Sequence, residues 1–268
     1  MNNEVGQMIN QAVKNIIEHT GDTKTIKKLI KKHDKKIHFI PKRYRVLSGI
    51  LQSMNIQFGN FIEELMAVII QQDGRYEIIK EYSGKKDNHF HISRKNDEMI
   101  DNYITRCQIE SNFDLEKEFA ILYKELVCNR TGDMIDFKHD IDLLFKDKIT
   151  NVYYYLEIKY NDDHDTGKFV DINRKFIKTA GYLANELNVD NVEQFKPILF
   201  FFNNKKMKGN IYIPEETNIY RGKRFFDEFL TIPYDSVESY MSNLSESDET
   251  IQAFNDLYNK VMSLKEED

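Results

Sequence analysis

Three ionisable residues near the middle of the chain could together bind a metal ion: Asp142, Glu157 and Lys159. Asp142 lies in a segment whose apolar and polar residues alternate, and Glu157 and Lys159 end a β-branched and aromatic run that starts at Val152. Both patterns predict β-strands, and residues 147–151 between them have the composition of a turn. We therefore expect a β-hairpin that carries all three side chains.

The charges of these side chains would need compensation if the hairpin is buried. Glu157 and Lys159 are two positions apart on a strand, so they share a face, with Ile158 on the other. Charged groups are costly to bury without a partner. Two carboxylates from paired strands, with water completing the shell, suit Mg²⁺, which prefers oxygen ligands. The alternative is an ordinary exposed cross-strand ion pair.

The spacing of Glu157 and Lys159 is not distinctive by itself. An acidic residue two positions before a lysine occurs four times, beginning at Asp22, Asp34, Asp136 and Glu157. Only the last of these closes an apolar strand that follows another strand bearing an acid. The context of the tripeptide, and not the tripeptide alone, therefore favours a metal site.

The composition indicates a globular protein of 268 residues, with 41% hydrophobic residues and 31% charged residues. The two cysteines have no metal-ligand spacing, which fits a reducing compartment. The sequence contains no apolar run long enough to span a membrane and no signal peptide. We therefore expect a soluble protein of the cytoplasm that has no membrane partner.

The net charge of −6 is unevenly distributed along the chain. Residues 1–60 carry 11 Lys/Arg against 4 Asp/Glu, whereas residues 226–268 carry 2 against 11. The lysines of residues 23–36 fall on a helical pattern and could contact a phosphate backbone, although a solvated lysine-rich face explains them equally well. Such a distribution is compatible with a nucleic-acid enzyme.

Periodicity outlines the elements that must position the site. Helical spacing predicts helices, and apolar or alternating runs predict short strands. The expected helices cover residues 3–19, 23–36, 44–71, 95–108, 115–128, 168–187 and 248–264, and the expected strands lie within 75–92, 141–145, 152–158, 197–202 and 211–213. The strand expected at 197–202 is apolar throughout and follows directly on a helix, which is typical of a strand in a parallel sheet position.

Seven basic residues after the hairpin are candidates for DNA contact. Some form a stripe on the helix that follows the hairpin. The others lie in residues 203–210, expected to be the tip of a second hairpin that leads into the strand at 211–213, and in residues 221–224, expected to be a loop. The candidates are Arg174, Lys175, Lys178, Lys205, Lys206, Arg221 and Arg224. Arginine and lysine bind phosphates and the edge of guanine, but exposed turns of this composition are also ordinary. The polar loop 161–168, with His164, could touch substrate or could simply cap the next helix.

Segments 44–66, 140–145 and 156–179 together resemble type II restriction endonucleases of the TdeIII, MjaII and HinfI kind, within the PD-(D/E)XK nuclease superfamily. Ile141 replaces the proline usual in that motif, which leaves the metal ligands intact. The resemblance implies a mixed α/β fold, with a central mixed β-sheet flanked by helices. We expect one nuclease domain over residues 1–268, with a mainly helical part (1–130), a catalytic sheet core (131–213) and a C-terminal helical part (214–268).

The same resemblance implies a function. Asp142 and Glu157 would bind Mg²⁺, Lys159 would be the catalytic lysine, and Glu63, on the helix of residues 44–71, would approach the metal unless it faces solvent. The implied enzyme cuts double-stranded DNA at a short interrupted palindrome, GGNCC or GANTC. It would act as a homodimer in a restriction-modification system, and a DNA methyltransferase would protect the same site.

Two other functions are compatible with the hairpin. A structure-selective DNA repair or junction nuclease would use the same three residues. A catalytically dead nucleic-acid-binding module would have lost one of them, but Asp142, Glu157 and Lys159 are all present. Digestion of plain duplex DNA separates the restriction enzyme from both, because only a restriction enzyme gives discrete bands.

Overall fold

The computed structural model describes residues 3–86, 88–129, 132–163, 165–208 and 211–263, except for the side chains of residues 3 and 166. Within this part of the chain, no helix is long and apolar enough to cross a membrane. The helices are α1 (Asn3–Thr20), α2 (Thr23–Asp34), α3 (Lys42–Asp73), α4 (Arg94–Ile109), α5 (Leu115–Cys128), α6 (Thr166–Glu186), α7 (Gly222–Phe229), α8 (Tyr234–Ser245) and α9 (Asp248–Met262). The strands are β1 (Tyr76–Ile78), β2 (His89–Ser93), β3 (Met134–Lys138), β4 (Leu143–Asp147), β5 (Tyr153–Lys159), β6 (Phe195–Phe201) and β7 (Ile219–Arg221).

The chain divides into two compact units. The helical unit comprises residues 1–68 and 232–268, and the sheet unit comprises residues 69–231. Helix α3 belongs to both, because its last residues lie in the sheet unit. That both units form one nuclease domain stays a prediction.

The helical unit is built on amphipathic helices. Asp22 caps α2 by accepting a hydrogen bond from the Thr25 N–H at 2.6 Å. The buried faces of α2, α3 and α9 meet in an apolar core that includes Ile30, Ile50 and Val261. The helices predicted at 3–19, 23–36, 44–71 and 248–264 are confirmed to within two residues at each end.

The sheet unit contains a five-stranded sheet in the order β1-β4-β5-β6-β7. The pairs on the β1 side are antiparallel, and β6 pairs in parallel with both β5 and β7. Helix α6 packs on one face, where Phe176 stacks on Tyr155 at 5.4 Å, and α7 packs on the other, where Phe225 meets Phe200 at 4.7 Å. The mixed α/β fold with helices flanking a mixed sheet is therefore confirmed.

Three predictions about this unit are wrong. Residues 211–213 form no strand; the strand beside β6 is β7, and the two are parallel, so β6 is not the first strand of the expected second hairpin. Residues 221–224 are not a loop, because Arg221 ends β7 and Gly222 starts α7. The apolar spacing of Phe225, Phe226 and Phe229, all buried, gives the helix its packing face.

The sequence analysis also missed β3. This strand pairs in antiparallel fashion with β2 to form a separate two-stranded sheet. Its residues alternate between exposed and half-buried positions, and none of the five is fully buried. The two strands expected within residues 75–92 are present, but β1 belongs to the large sheet and β2 to the small one.

Candidate active site

The hairpin of β4 and β5 brings Asp142, Glu157 and Lys159 together. Lys159 Nζ lies 2.8 Å from Glu157 Oε1 and 3.3 Å from Asp142 Oδ2. Asp142 is one residue before β4, and its Oδ2 also accepts a 2.7 Å hydrogen bond from the Ile158 N–H. The antiparallel register, which places Leu144 opposite Tyr155, carries all three side chains to one face of the sheet.

These charged groups are largely removed from solvent. The exposed fractions of the Asp142, Glu157 and Lys159 side chains are 13%, 6% and 23%. An exposed cross-strand ion pair therefore does not describe them. Two carboxylates against one ammonium leave an excess of one negative charge in a poorly solvated place, and this excess favours a bound cation.

Two further side chains lie beside Glu157, and the sequence analysis assigned a role to neither. The buried hydroxyl of Tyr155 donates a 2.7 Å hydrogen bond to Glu157 Oε2. His139 Nε2 lies 3.8 Å from the same oxygen. Because strand residues two apart share a face, the position of Tyr155 was a signal that the sequence contained. The position of His139, which precedes β4, depends on the fold.

The surroundings of each group set its protonation. Burial and the negative charge of Glu157 raise the pKa of Asp142 to about 6, although Lys159 opposes this. Burial also disfavours the charge of Glu157, but Lys159 and His139 outweigh it and hold the pKa of Glu157 below its usual range. Burial opposes the charge of Lys159 too, yet the two carboxylates raise its pKa above the usual value. Lys159 is therefore a cation and Glu157 an anion at neutral pH.

The oxygen atoms around Lys159 suit a hard divalent cation. The Ile158 carbonyl oxygen accepts a hydrogen bond from Lys159 Nζ at 2.8 Å, so the ammonium contacts a backbone oxygen as well as both carboxylates. Mg²⁺ takes oxygen ligands and usually only one or two carboxylates from the protein. Over the described residues, no group of three or more His, Cys, Asp and Glu side chains is arranged to hold a metal. The donor set fits an ion held by two carboxylates and water.

Beyond these residues, the sequence analysis expected Glu63 near the metal and His164 near the substrate. Glu63 is half-buried on α3 in the helical unit, where it interacts with other residues, and its catalytic role stays a prediction. Asp140 accepts a 3.0 Å hydrogen bond from the Lys86 N–H. His164 lies outside the described residues.

The basic stripe on α6 is partly neutralised. Arg174 Nε lies 2.7 Å from Asp101 Oδ1, and Lys178 forms an ion pair with Asp97. Lys175 is exposed. Two of the three cations thus connect α6 to α4, and contact of the stripe with DNA stays a prediction.

The candidates after β6 have similar internal partners. Arg221 is nearly buried and pairs with Asp162 at 3.1 Å and Glu215 at 2.9 Å. Arg224 donates hydrogen bonds to backbone carbonyls of residues 215, 216 and 219. Lys206 pairs with Glu215, and Lys205 is exposed. The arginines have structural roles that the sequence did not reveal, and DNA contact by these four residues is untested.

Comparisons of the whole sequence with known proteins point to one family. The family model described as "Type II restriction endonuclease, HinfI" matches residues 1–245. The chain is 59% identical over 265 residues to the type II restriction enzyme HinfI of Haemophilus influenzae, and the match covers 99% of this chain and all of the relative. No solved structure matches the chain.

Proposed function

This chain belongs to the HinfI family of type II restriction endonucleases, and on that premise we propose that Asp142, Glu157 and Lys159 are its catalytic residues. As a member of the family it is a site-specific deoxyribonuclease that acts on double-stranded DNA. The observation that carries the proposal is the contact of the Lys159 ammonium with two buried carboxylates. Such a cluster is costly to maintain unless it has a function.

Charge explains why a metal is required. The site holds one excess negative charge, and a DNA phosphate brings another, so the two would repel each other. We propose that the Asp142 and Glu157 carboxylates hold Mg²⁺. When bound, Mg²⁺ supplies positive charge that polarises the scissile phosphate and promotes the ionisation of water. The finer choice of Mg²⁺ over other divalent ions rests on the all-oxygen donor set.

The residues of the chain would complete the reaction. Lys159, kept protonated by its carboxylate neighbours, would orient the attacking water and offset the negative charge that develops on the phosphate. Tyr155 donates a hydrogen bond to Glu157 Oε2, so the other oxygen, Oε1, faces Lys159 and would be available to bind Mg²⁺. Water attacks opposite the leaving 3′-oxygen, and the products carry 5′-phosphate and 3′-hydroxyl ends.

We further propose that the target is GANTC. Of the two interrupted palindromes that the resemblance implied, this one follows the 59% identity with HinfI. A two-fold symmetric target is expected to be cut by a homodimer, since each subunit then meets the same half-site. A cognate DNA methyltransferase would protect the same sequence, and the enzyme would act in the cytoplasm, where it meets DNA.

Digestion of a plasmid tests the catalytic assignment. Wild-type protein with Mg²⁺ should give discrete bands that map to GANTC, and EDTA should stop the cutting. Glu157→Ala and Lys159→Ala should abolish cleavage but retain DNA binding in EDTA. Lys146→Ala is the matched control, because Lys146 lies on β4 of the same hairpin and contacts the Tyr153 ring.

Neither rival function predicts discrete bands. A structure-selective nuclease would leave the plain plasmid uncut or give a smear, and a dead module would bind DNA without cutting it. Undiminished cutting by Glu157→Ala or Lys159→Ala would remove the site assignment while leaving the family membership intact.

A further inference from the structure

The segment that joins α2 to α3 holds apolar side chains in solvent. Ile37 is fully exposed and Phe39 is 92% exposed, which makes them the most exposed large hydrophobic residues in the described part of the chain. Ile40 is exposed as well. Adjacent large apolar side chains that a fold leaves uncovered are typical of a binding surface.

The segment is anchored at both ends. Lys42 Nζ pairs with Asp34 Oδ1 at 2.7 Å, so the end of α2 is tied to the start of α3. Arg45 Nη1 donates hydrogen bonds to the carbonyl oxygens of His33 at 3.0 Å and Lys36 at 3.3 Å. The fold therefore holds the loop while its apolar residues remain outside the core.

Two local contacts shape the loop between these anchors. The Ile40 N–H donates a 3.0 Å hydrogen bond to His38 Nδ1, and the His38 ring stacks on the Phe39 ring with centroids 5.0 Å apart. The contacts hold Phe39 beside His38 and not against the apolar core of the helical unit. Both aromatic rings are thus presented to an external partner.

The charge around the loop identifies that partner. Residues 23–45 contain ten Lys and Arg residues and one acidic residue, Asp34. Most of these cations are exposed: Lys24, Lys27, Lys28, Lys31, Lys32, Lys35, Lys36 and Arg43. A two-fold contact with a second copy would set this positive surface against itself, which is unfavourable. A polyanion is the complementary partner.

We propose that residues 35–43 form a DNA-binding loop, in which Ile37 and Phe39 enter a groove of the duplex while Lys35, Lys36 and Arg43 contact phosphates. Proteins that bind the minor groove of DNA often insert Phe or Ile between base steps. Lysines beside the inserted side chain neutralise the charge of the phosphate backbone. The inference rests on the proposed function, since it takes duplex DNA as the substrate. It adds an interaction surface in the helical unit, made of residues other than the three catalytic ones.

Equilibrium binding at a series of salt concentrations tests the two parts of the loop separately. The probe is a short duplex with one GANTC site, and EDTA prevents cutting. Phe39→Ala should weaken binding by about tenfold, as expected when an aromatic contact with bases is lost, and should leave the slope of log affinity against log salt unchanged. Lys35→Ala with Lys36→Ala should reduce that slope by about two, because each phosphate contact contributes about 0.9.

Ile109→Ala is the matched control. Ile109 is 74% exposed at the end of α4 and belongs to no basic surface of this kind, so its removal should leave binding unchanged. Because Phe39 is outside the core, the thermal unfolding temperature of Phe39→Ala should equal that of the wild type. Sedimentation without DNA shows whether the substitution alters self-association.

The outcomes distinguish this inference from the proposed function. If wild-type protein cuts the plasmid but Phe39→Ala and Ile37→Ala bind the duplex as tightly as wild type, the loop assignment is wrong and the nuclease assignment stands. Loss of self-association by Phe39→Ala, with DNA binding retained, would identify a second copy as the partner and would also overturn the inference. Wild-type protein that neither binds nor cuts the duplex would refute both.

Discussion

Tyr155→Phe should raise the Mg²⁺ concentration that cleavage requires. The substitution removes one buried oxygen, which donates a 2.7 Å hydrogen bond to Glu157 Oε2, and keeps the ring that stacks on Phe176. Burial and the charge of Glu157 raise the pKa of Tyr155 far above its usual value, so the hydroxyl is a donor throughout the neutral range. Without the Tyr155 hydroxyl, the Glu157 carboxylate is free to turn away from the bound Mg²⁺.

The size of the effect follows from the type of bond. A hydrogen bond to a charged group contributes about 1.5–3 kcal/mol, and about 1.4 kcal/mol corresponds to a factor of ten. We therefore expect the Mg²⁺ midpoint to rise by roughly 10- to 100-fold, which is the usual range when a group that orients a metal ligand is lost. The free energy of unfolding should fall by about 1–3 kcal/mol, because a buried carboxylate loses a donor.

The assay combines the cleavage rate over a Mg²⁺ titration with calorimetry of Mg²⁺ binding in the absence of DNA. Tyr154→Phe is the control, because Tyr154 is on the same strand but on the opposite face, where it stacks on Phe145 at 5.2 Å. A purely structural role would lower the unfolding temperature of Tyr155→Phe and leave both Mg²⁺ midpoints in place. An unchanged midpoint in either measurement would refute the positioning role of Tyr155.

Burial and the charge of Glu157 raise the pKa of Asp142 to about 6, so protons compete with Mg²⁺ for the Asp142 carboxylate. Calorimetry should therefore show the Mg²⁺ affinity falling by up to about tenfold per pH unit below pH 6. Asp147→Asn should lower the free energy of unfolding at neutral pH, measured in urea, because it removes the charge that pairs with Arg75 at 2.6 Å. The loss should be only about 1–2 kcal/mol, because Arg75 is partly exposed and solvent weakens the pair. Burial raises the pKa of Asp147, but hydrogen bonds from Arg75 and the backbone outweigh it and lower the pKa to about 2, so the wild-type advantage should be present above about pH 4 and be lost as the pH falls toward 2. Gly74→Ala should cost about 1 kcal/mol in the same measurement, because Gly74 has a φ of 78°, which side chains disfavour.

Each of these expectations has a result that would contradict it. Mg²⁺ affinity that is flat from neutral pH down to about pH 5 would mean that Asp142 is not a ligand or is not perturbed. A constant stability difference between wild type and Asp147→Asn across the acid range would show that the charge of Asp147 does not matter. If Gly74→Ala leaves the free energy of unfolding unchanged, the positive φ at residue 74 does not disfavour alanine there.

The catalytic hairpin could be predicted because its information is local. Alternation of apolar and polar residues around Asp142, and the apolar run that ends at Glu157 and Lys159, define two strands without reference to the rest of the chain. The helices of the helical unit could also be predicted, from the helical spacing of their apolar residues. Segments of mixed pattern were not: β3 was missed, and the region of β7 and α7 was assigned as strand and loop at the wrong positions.

The partners of the basic residues could not be read from the sequence. Arg174 and Arg221 were proposed as DNA contacts because they are cations in polar surroundings, and the structure pairs them with Asp101 and Asp162, residues distant in sequence from them. Ile37 and Phe39 drew no attention in the sequence, because apolar residues are expected to be buried. Their exposure is a property of the fold alone.

The sequence by itself determined which residues could do chemistry and that Glu157 and Lys159 share a strand face, because the period of a strand is fixed by backbone geometry. Only the tertiary structure decided that Asp142 meets them at one point, that Tyr155 donates a hydrogen bond to Glu157 with His139 nearby, and that the cluster is buried. The physical reason is that burial and contact between distant segments depend on how strands pair and helices pack, and it is burial that turns three common side chains into a site with perturbed charges.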